Sequence, residues 1–239
     1  MKGKIIAMIP ARVGSERLKM KNLALINGKP LIYYSINAAK KSGLFDKVVL
    51  NSDSEIFEKI AKRYGIDFYL RPKSLGSSDT KSDEVVADFM KLYNSDDIIV
   101  WVNTVNPFQS GKIICKVVDH FLNNQLDSLM TVEEKQVHVN FKNKPLNYKV
   151  DEPFFKTQDI LSIQPFVYSI MMWRVSSFLS KFKKKGYALF CGKFGSYTVG
   201  GLITIKIKTE EDLLFADKIM RGISKSKELD VLKYDEIVG

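Results

Sequence analysis

The sequence predicts an α/β fold with a mostly parallel central sheet, and two observations carry that prediction. Through residue 123, short apolar runs typical of strands buried on both faces alternate with segments whose apolar residues recur at helical spacing. Beyond that point the alternation gives way to hairpin-like and irregular sequence. Strands separated by helices join in right-handed βαβ units, which places the strands in one parallel sheet. We therefore expect a single α/β domain over residues 1–239, with a β-rich excursion at about residues 135–170.

The elements of the first half follow from these runs and from the residues that bound them. Pro30 is suited to the start of a helix, and Gly43 and Gly65 are suited to the ends of helices. The stretch from Ser52 to Glu55 has the form of a capping box. The predicted strands are residues 5–9, 47–50, 66–70 and 98–102, and the predicted helices are residues 30–42, 56–64, 82–93 and 112–123.

The second half is less regular but still patterned. Thr209 to Asp212 resembles a capping box ahead of a helix that runs to Met220. An apolar and aromatic run precedes it, and the tail from Ser224 is rich in Lys and weakly patterned. We expect strands at residues 127–132 and 197–207, a hairpin at 138–150, the apolar run at 165–175 and a short helix at 176–184.

Composition narrows the classes of partner. The chain has 37 Lys and Arg residues against 27 Asp and Glu, a formal charge of +10, which favours an acidic partner such as a nucleotide, an anionic sugar or a nucleic acid. It shows no zinc finger, RNP-type aromatic motif or bZIP-like basic helix, so we expect no nucleic acid partner. No apolar run reaches bilayer-spanning length and no leader cleavage site is visible, so we expect a cytoplasmic protein with no membrane partner.

The cysteines and histidines do not suggest a metal or disulfide site. Cys115 and Cys191 are far apart and show no C-x-x-C spacing, so two buried free thiols are expected. His120 and His138 have no partners at ligand spacing, and we expect no zinc site.

A basic loop after the first strand is the candidate binding element. It sets four cations, Arg12, Arg17, Lys19 and Lys21, among small residues in the stretch 10–22. Backbone N–H groups of such a loop can converge on one point, and guanidinium groups offer forked donors matched to phosphate. The loop predicts a polyphosphate site, although a solvated basic turn fits the cation count equally well. It contains neither GxxxxGK[ST] nor GxGxxG.

The stretch PARVGSERLKMKN at 10–22, followed by LINGKPLI at 25–32, resembles the nucleotide-binding signature of the CMP-sialic acid and CMP-KDO synthetases. The resemblance is strong over residues 4–115 and weak over 160–222. It implies a three-layer Rossmann-like nucleotidyltransferase fold and transfer of CMP from CTP to an acidic 2-keto sugar of sialic, legionaminic or pseudaminic type, with release of pyrophosphate. It also implies a homodimer built by the β-rich excursion, and Mg²⁺ as cofactor.

The resemblance also assigns roles to residues. Arg12, Ser15 and Lys21 are expected to hold the triphosphate, with Arg12 and Lys21 as the catalytic cations, and Asn22, Arg71 and Ser82 to hold cytosine and ribose. From their own context alone, Arg71 would be a turn cation and Ser82 a helix cap. The full expected nucleotide site is Ala11, Arg12, Ser15, Arg17, Lys21, Asn22, Arg71 and Ser82, and the expected sugar site is Asn103, Gln109 and Tyr168.

The chain departs from the resembled pattern where the metal is expected. Lys206 and Lys208 replace the two aspartates of the D-I-D-T motif, and Asn106 replaces an aspartate of the KDO branch. Because an ammonium has only donors, Mg²⁺ is doubtful at these positions. Three interpretations are open. The lysines supply a countercharge to phosphate, or a metal is held by the nucleotide phosphates and other residues, or the chain is a catalytically degenerate homologue that binds nucleotide or sugar. If Lys206 and Lys208 end a strand, Ile207 points away and the two ammonium groups stand side by side.

Overall fold

The computed structural model describes residues 3–225 and is built around a seven-stranded sheet. The strands are β1 (Ile5–Ala11), β2 (Leu25–Ile26), β3 (Lys29–Pro30), β4 (Lys47–Ser52), β5 (Asp67–Leu70), β6 (Ile98–Val102), β7 (Ser128–Val132), β8 (Asn140–Phe141), β9 (Lys144–Pro145), β10 (Phe166–Arg174) and β11 (Phe194–Thr198). The helices are α1 (Leu31–Ser42), α2 (Ile56–Tyr64), α3 (Ser82–Met90), α4 (Gly111–Asn123), α5 (Val175–Lys185) and α6 (Glu210–Lys225).

The sheet has the order β11-β7-β10-β6-β1-β4-β5 and is mostly parallel, as the sequence predicts. β1 pairs in parallel with both β4 and β6, and β4 pairs in parallel with β5. β10 runs antiparallel to both of its neighbours, β6 and β7, whereas β11 is parallel to β7. The carboxyl ends of β1, β4, β5 and β6 therefore meet at one edge.

Helices cover both faces of the sheet, which gives the three layers expected. Along β1, Ala7 and Ile9 pack into the core formed with α1, α2 and α4, while Ile6 and Met8 pack into the core formed with α3 and α5. This alternation explains why the strand reads as an unbroken apolar run, because each of its faces is buried. The fully buried Trp173 anchors the second core, and its indole N–H donates to the Leu189 carbonyl at 2.8 Å.

The last helix packs beside the loop that follows β1. Ile207 and Ala216 are fully buried in a small cluster with Leu18, Ile26 and Leu31. Thr209 and Asp212 form the predicted capping box, since Thr209 Oγ1 accepts from Asp212 N at 3.2 Å and Asp212 Oδ2 accepts from Thr209 N at 2.9 Å. The C-terminal part of the described chain therefore supports the basic loop.

Two local predictions are wrong, for identifiable reasons. The strand expected at residues 197–207 ends at Thr198, because Gly200 and Gly201, the latter with φ of 69°, turn the chain into a short 3-10 segment. The capping box expected at Ser52 does not form at α2, whose N-terminus has no side-chain cap. The Gly43 and Gly65 helix ends are confirmed, and both glycines have a positive φ. Most of the predicted Lys-rich tail, residues 226–239, lies outside the described residues.

The excursion is shorter and less regular than expected. Residues 166–170 belong to β10 in the central sheet, so the segment outside the sheet is residues 135–165. It contains the hairpin β8–β9, and Asn147 holds it together by donating to the carbonyls of Val137 and Leu161 at 2.8 and 2.9 Å. Within residues 3–225, no helix combines the length and the apolar character needed to cross a membrane.

The fold makes one prediction about stability. Asp97 is 4% exposed, and its carboxylate accepts from the backbone N–H groups of Lys4 at 2.7 Å and Asn94 at 2.9 Å, which ties the start of β1 to the start of β6. We expect Asp97→Ala to lower the free energy of unfolding by about 2 to 3 kcal/mol, because two N–H groups lose a charged acceptor. Urea denaturation measures this change. The neighbouring exposed Asp96→Ala is the control, and equal stability of the two variants would contradict the role of Asp97.

Candidate functional site

A cavity of about 270 Å³ opens at the carboxyl end of the parallel strands. Its walls are the loop after β1, the segment from Arg71 after β5 to the start of α3, and the loop after β6. Ligands in open α/β sheets gather at this edge, because loops from neighbouring strands converge there. The geometry therefore makes this cavity the leading candidate site.

The structure brings most of the predicted nucleotide-site residues to this one cavity. Ala11, Arg12, Ser15, Lys21, Asn22, Arg71 and Ser82 all line it. Arg17 does not line it and is exposed, although its charge acts on Lys21. Side chains that are up to 71 positions apart in the sequence thus line one cavity. The sequence pattern alone does not show that they lie together.

The basic loop concentrates positive charge at the cavity. Burial, followed by the guanidinium groups of Arg17 and Arg12, lowers the pKa of Lys21, while Asp212 acts in the opposite direction. Arg12 Nη1 donates to the Ser77 carbonyl at 3.0 Å, which ties the loop after β1 to the segment before α3. An anion bound between these cations would relieve their mutual repulsion, so the loop favours an anionic ligand over a solvated turn.

Asn22 joins two walls of the cavity. It is 5% exposed, and its amide nitrogen donates to the Arg12 carbonyl at 3.3 Å. Its amide oxygen accepts from Thr104 Oγ1 at 2.8 Å. Thr104 is a wall residue that sequence reasoning missed, because nothing in the sequence pairs position 104 with position 22. The pair fixes the loop after β1 against the loop after β6.

Arg71 is a buried structural cation rather than a plain turn residue. It is 4% exposed, and its Nη1 donates to the carbonyl and side-chain oxygens of Asn51 at 2.9 and 3.1 Å. Its Nε donates to the Leu75 carbonyl at 3.2 Å, and its Nη2 lies 3.6 Å from Asp53 Oδ1. Arg71 therefore fixes the loop that forms one side of the cavity.

The segment before α3 supplies polar groups that sequence reasoning missed. Ser82 is the first residue of α3, and the N-cap position belongs to Lys81, so Ser82 is not the helix cap. Ser77, Ser78 and Thr80 also line the cavity. The run of hydroxyl residues between 74 and 82 was the available signal. Trp101 of β6 lines the cavity too, and its buried indole N–H has no partner among the described residues.

The structure separates the three predicted sugar-site residues. Asn103 lines the cavity and donates to the Tyr168 carbonyl at 3.0 Å. Gln109 does not reach the cavity: it is 6% exposed, and its amide nitrogen donates to Ser35 Oγ at 2.8 Å and to the Asn103 carbonyl at 2.6 Å. Gln109 therefore supports the loop after β6 through Asn103, and the prediction that it contacts the sugar directly is wrong. Tyr168 lies outside the cavity.

Tyr168 lies at an irregularity of β10 that turns it outward. The register of β10 against β7 shifts between Phe166 and Met171, and Tyr168 has φ of 59°, which is unusual for a residue with a side chain. The ring is 43% exposed, and the ammonium of Lys206 lies 5.0 Å from its centre.

Lys206 and Lys208 line a second cavity of about 340 Å³. They lie in an extended connection and not at the end of a strand, but the expected alternation holds, since Ile207 between them is fully buried. Lys206 Nζ donates to the Phe166 carbonyl at 2.8 Å. Burial, followed by the charge of Lys208, lowers the pKa of Lys206.

The residues present do not fit the Mg²⁺ ion that the sequence resemblance implies at these positions. Both lysine ammonium groups are donors and repel a cation. Asn106 is fully buried and lines neither cavity; its amide nitrogen donates to the carbonyls of Ile203 and Ile205, and its amide oxygen has no partner among the described residues. Residues 3–225 contain no cluster of three His, Cys, Asp or Glu side chains with the geometry of a metal site.

Comparison with known proteins agrees with the geometry. A sequence model described as cytidylyltransferase matches residues 6–176. The N-acylneuraminate cytidylyltransferase of Escherichia coli O18:K1:H7 is 36% identical over 147 residues, covering 61% of this chain and 33% of that protein. The pseudaminic acid cytidylyltransferase of Campylobacter jejuni serotype O:2 is 32% identical over 166 residues, covering 65% of this chain and 71% of that protein.

A solved structure shows the same fold. The CMP:2-keto-3-deoxy-manno-octonic acid synthetase, solved with CTP, superposes with a TM-score of 0.68 at 16% identity, covering 92% of this chain and all of that one. The match supports the three-layer fold. The chain spans only about one third of the length of the Escherichia coli relative.

Proposed function

This chain belongs to the cytidylyltransferase family, and on that basis we propose that it transfers CMP from CTP to an acidic 2-keto sugar with release of pyrophosphate. The observation that carries the proposal is the cavity at the carboxyl ends of the strands, where seven of the eight residues expected to hold the nucleotide lie together. The relatives named N-acylneuraminate and pseudaminic acid cytidylyltransferase support this class of substrate.

The geometry suits the chemistry of a phosphoryl transfer. An acceptor hydroxyl oxygen attacks the α-phosphorus of CTP in line, and a new P–O bond forms as the bond to the oxygen that bridges to the β-phosphate breaks. Pyrophosphate leaves with the electron pair, and the hydroxyl proton passes to water. In this proposal Arg12, Ser15 and Lys21 hold the triphosphate and neutralise its charge, and the walls near Arg71 and Ser82 receive the nucleoside.

The acceptor is proposed to be a nonulosonic acid of sialic, legionaminic or pseudaminic type. A relative in Legionella pneumophila, 31% identical over 121 residues, is named CMP-N,N′-diacetyllegionaminic acid synthase. Asn103, the first residue after β6, lines the cavity and donates to the Tyr168 carbonyl. It is the proposed polar contact to the sugar. We place the reaction in the cytoplasm, in keeping with the two free cysteines among the described residues.

A second function is favoured by a specific observation. The lysines at positions 206 and 208 do not fit a divalent ion, so a homologue that binds CTP or the sugar without turnover, in a regulatory or assembly role, is the alternative. The two functions share CTP binding and differ in whether pyrophosphate is released.

Binding of CTP should depend on Arg12. We expect Arg12→Ala to weaken CTP binding by about tenfold to a hundredfold, because one charge-assisted contact contributes about 1.5 to 3 kcal/mol. Calorimetric titration with CTP measures this change. Arg63→Ala removes an exposed arginine on α2, away from the cavity, and should bind CTP as the unmodified protein does. Equal affinity of the folded Arg12→Ala protein and this control would reject the assignment of the loop.

We also propose a homodimer formed through the excursion at residues 135–165. Val150, Phe154 and Leu161 are 82%, 82% and 80% exposed, which is unusual for apolar side chains on one short segment. A two-fold axis would use this surface on both subunits and cover it.

Dimerisation through the excursion predicts the mass of the protein in solution. We expect light scattering at micromolar concentration to give twice the mass of one chain, and Val150→Asp/Leu161→Asp to give the mass of one chain. Leu92→Asp places a charge on an exposed leucine outside the excursion and should leave the dimer intact. A single-chain mass for the unmodified protein, or a double mutant that remains dimeric, would refute this interface.

A further inference from the structure

The second cavity carries more positive charge than its carboxylates neutralise. Three lysines line it, Lys135, Lys206 and Lys208, and two carboxylates line it, Glu133 and Asp212. Both carboxylates are already engaged. Glu133 pairs with Lys135 at 3.1 Å, and Asp212 accepts from the backbone N–H groups of Lys208 and Thr209 at the start of α6.

Lys206 and Lys208 are therefore left without a carboxylate partner among the described residues. Lys206 is only partly exposed, and its ammonium is held by the Phe166 carbonyl and by the ring of Tyr168. These contacts use part of its donor capacity and leave the rest for a ligand, because an ammonium has three N–H donors. The charge of Lys208 lowers the pKa of Lys206 while that of Glu133 raises it, and an anion bound between the two lysines would relieve their repulsion.

The walls of this cavity are partly apolar. Pro165, Phe166 and Val167 line it beside the two lysines. An ammonium pair beside apolar surface matches an oxyanion that is attached to a larger organic body.

The second cavity adjoins the first. Ile207, between the two lysines, donates its backbone N–H to the carbonyl of Val105, which lines the first cavity. Asp212 lines the second cavity, and its charge acts on Lys21 of the first cavity, where it opposes the lowering of the lysine pKa. The two cavities are neighbours across the loop after β6.

We propose that Lys206 and Lys208 form a second anion-binding site, which receives a carboxylate or phosphate group of a reactant and does not bind a divalent cation. The proposal rests on the proposed function only for the identity of the reactants, whose anionic groups are the carboxylate of the acceptor and the phosphates of CTP. Arg12 and Lys21 of the first cavity are the cations proposed for the triphosphate, so the acceptor carboxylate is the anion left for the lysine pair.

The test uses Lys206→Gln/Lys208→Gln, which removes both charges at nearly constant size. We expect this variant to weaken binding of its anion by about tenfold to a hundredfold. Calorimetric titrations with N-acetylneuraminate in the presence of a non-reactive CTP analogue, with CTP alone and with inorganic pyrophosphate distinguish the sources. A loss confined to N-acetylneuraminate identifies the carboxylate, and a loss for CTP or pyrophosphate identifies a phosphate; either result supports the site.

The matched control is Lys183→Gln/Lys185→Gln, which makes the same change in an exposed Lys-x-Lys pair on α5. It should bind all three probes as the unmodified protein does. If the unmodified protein binds the three probes and the Lys206/Lys208 variant binds them equally well, the second site is overturned. CTP binding that depends on Arg12 would then still stand, so this failure is distinct from failure of the proposed function.

A second measurement tests the exclusion of divalent cations without any turnover. Mn²⁺ is titrated into the protein alone, and bound ion is read by electron paramagnetic resonance. We expect no bound Mn²⁺ for the unmodified protein and measurable binding for Lys206→Asp/Lys208→Asp, because carboxylates replace the ammonium pair. Mn²⁺ binding by the unmodified protein that Lys206→Gln/Lys208→Gln abolishes would contradict the proposal.

Discussion

The position of β1 between two parallel neighbours is the constraint on which the rest of the site depends. Its pairing with β4 and β6 occupies both edges of the strand and fixes where its carboxyl end lies, and helices bury both of its faces. The basic loop that follows must then start at the same edge of the sheet as the loops after β5 and β6. Three stretches that are far apart in sequence form one cavity for this reason, with Asn22 and Thr104 bonded between two of them.

The electrostatics of the site follow from this convergence. Lys21 is partly buried beside Arg12 and Arg17, and Arg71 is buried in contacts that hold the neighbouring loop. Because these cations repel one another, binding of an anion between them is favoured. The lysine pair beyond the loop after β6 extends the same charge into the second cavity, which Lys206 and Lys208 line.

Local signals in the sequence predicted most of the strands and helices well. The end of α1 at Gly43 and the Thr209 capping box are set by the conformations and side chains of adjacent residues, so they can be read without the fold. Sequence reasoning failed where tertiary contacts decide. The burial of Gln109 beneath Asn103 depends on Ser35 of α1, and the early end of β11 depends on a glycine turn inside an apolar run.

Transfer of CMP is the central claim, and phosphorus NMR tests it most directly. The unmodified protein is incubated with CTP and, in turn, N-acetylneuraminate, a legionaminic acid and a pseudaminic acid, with and without Mg²⁺. The account predicts that with one of these acids the signals of CTP give way to those of pyrophosphate and of a CMP phosphodiester. Binding of CTP with no such conversion under any of these conditions would contradict it and would identify the chain as a nucleotide-binding homologue without turnover.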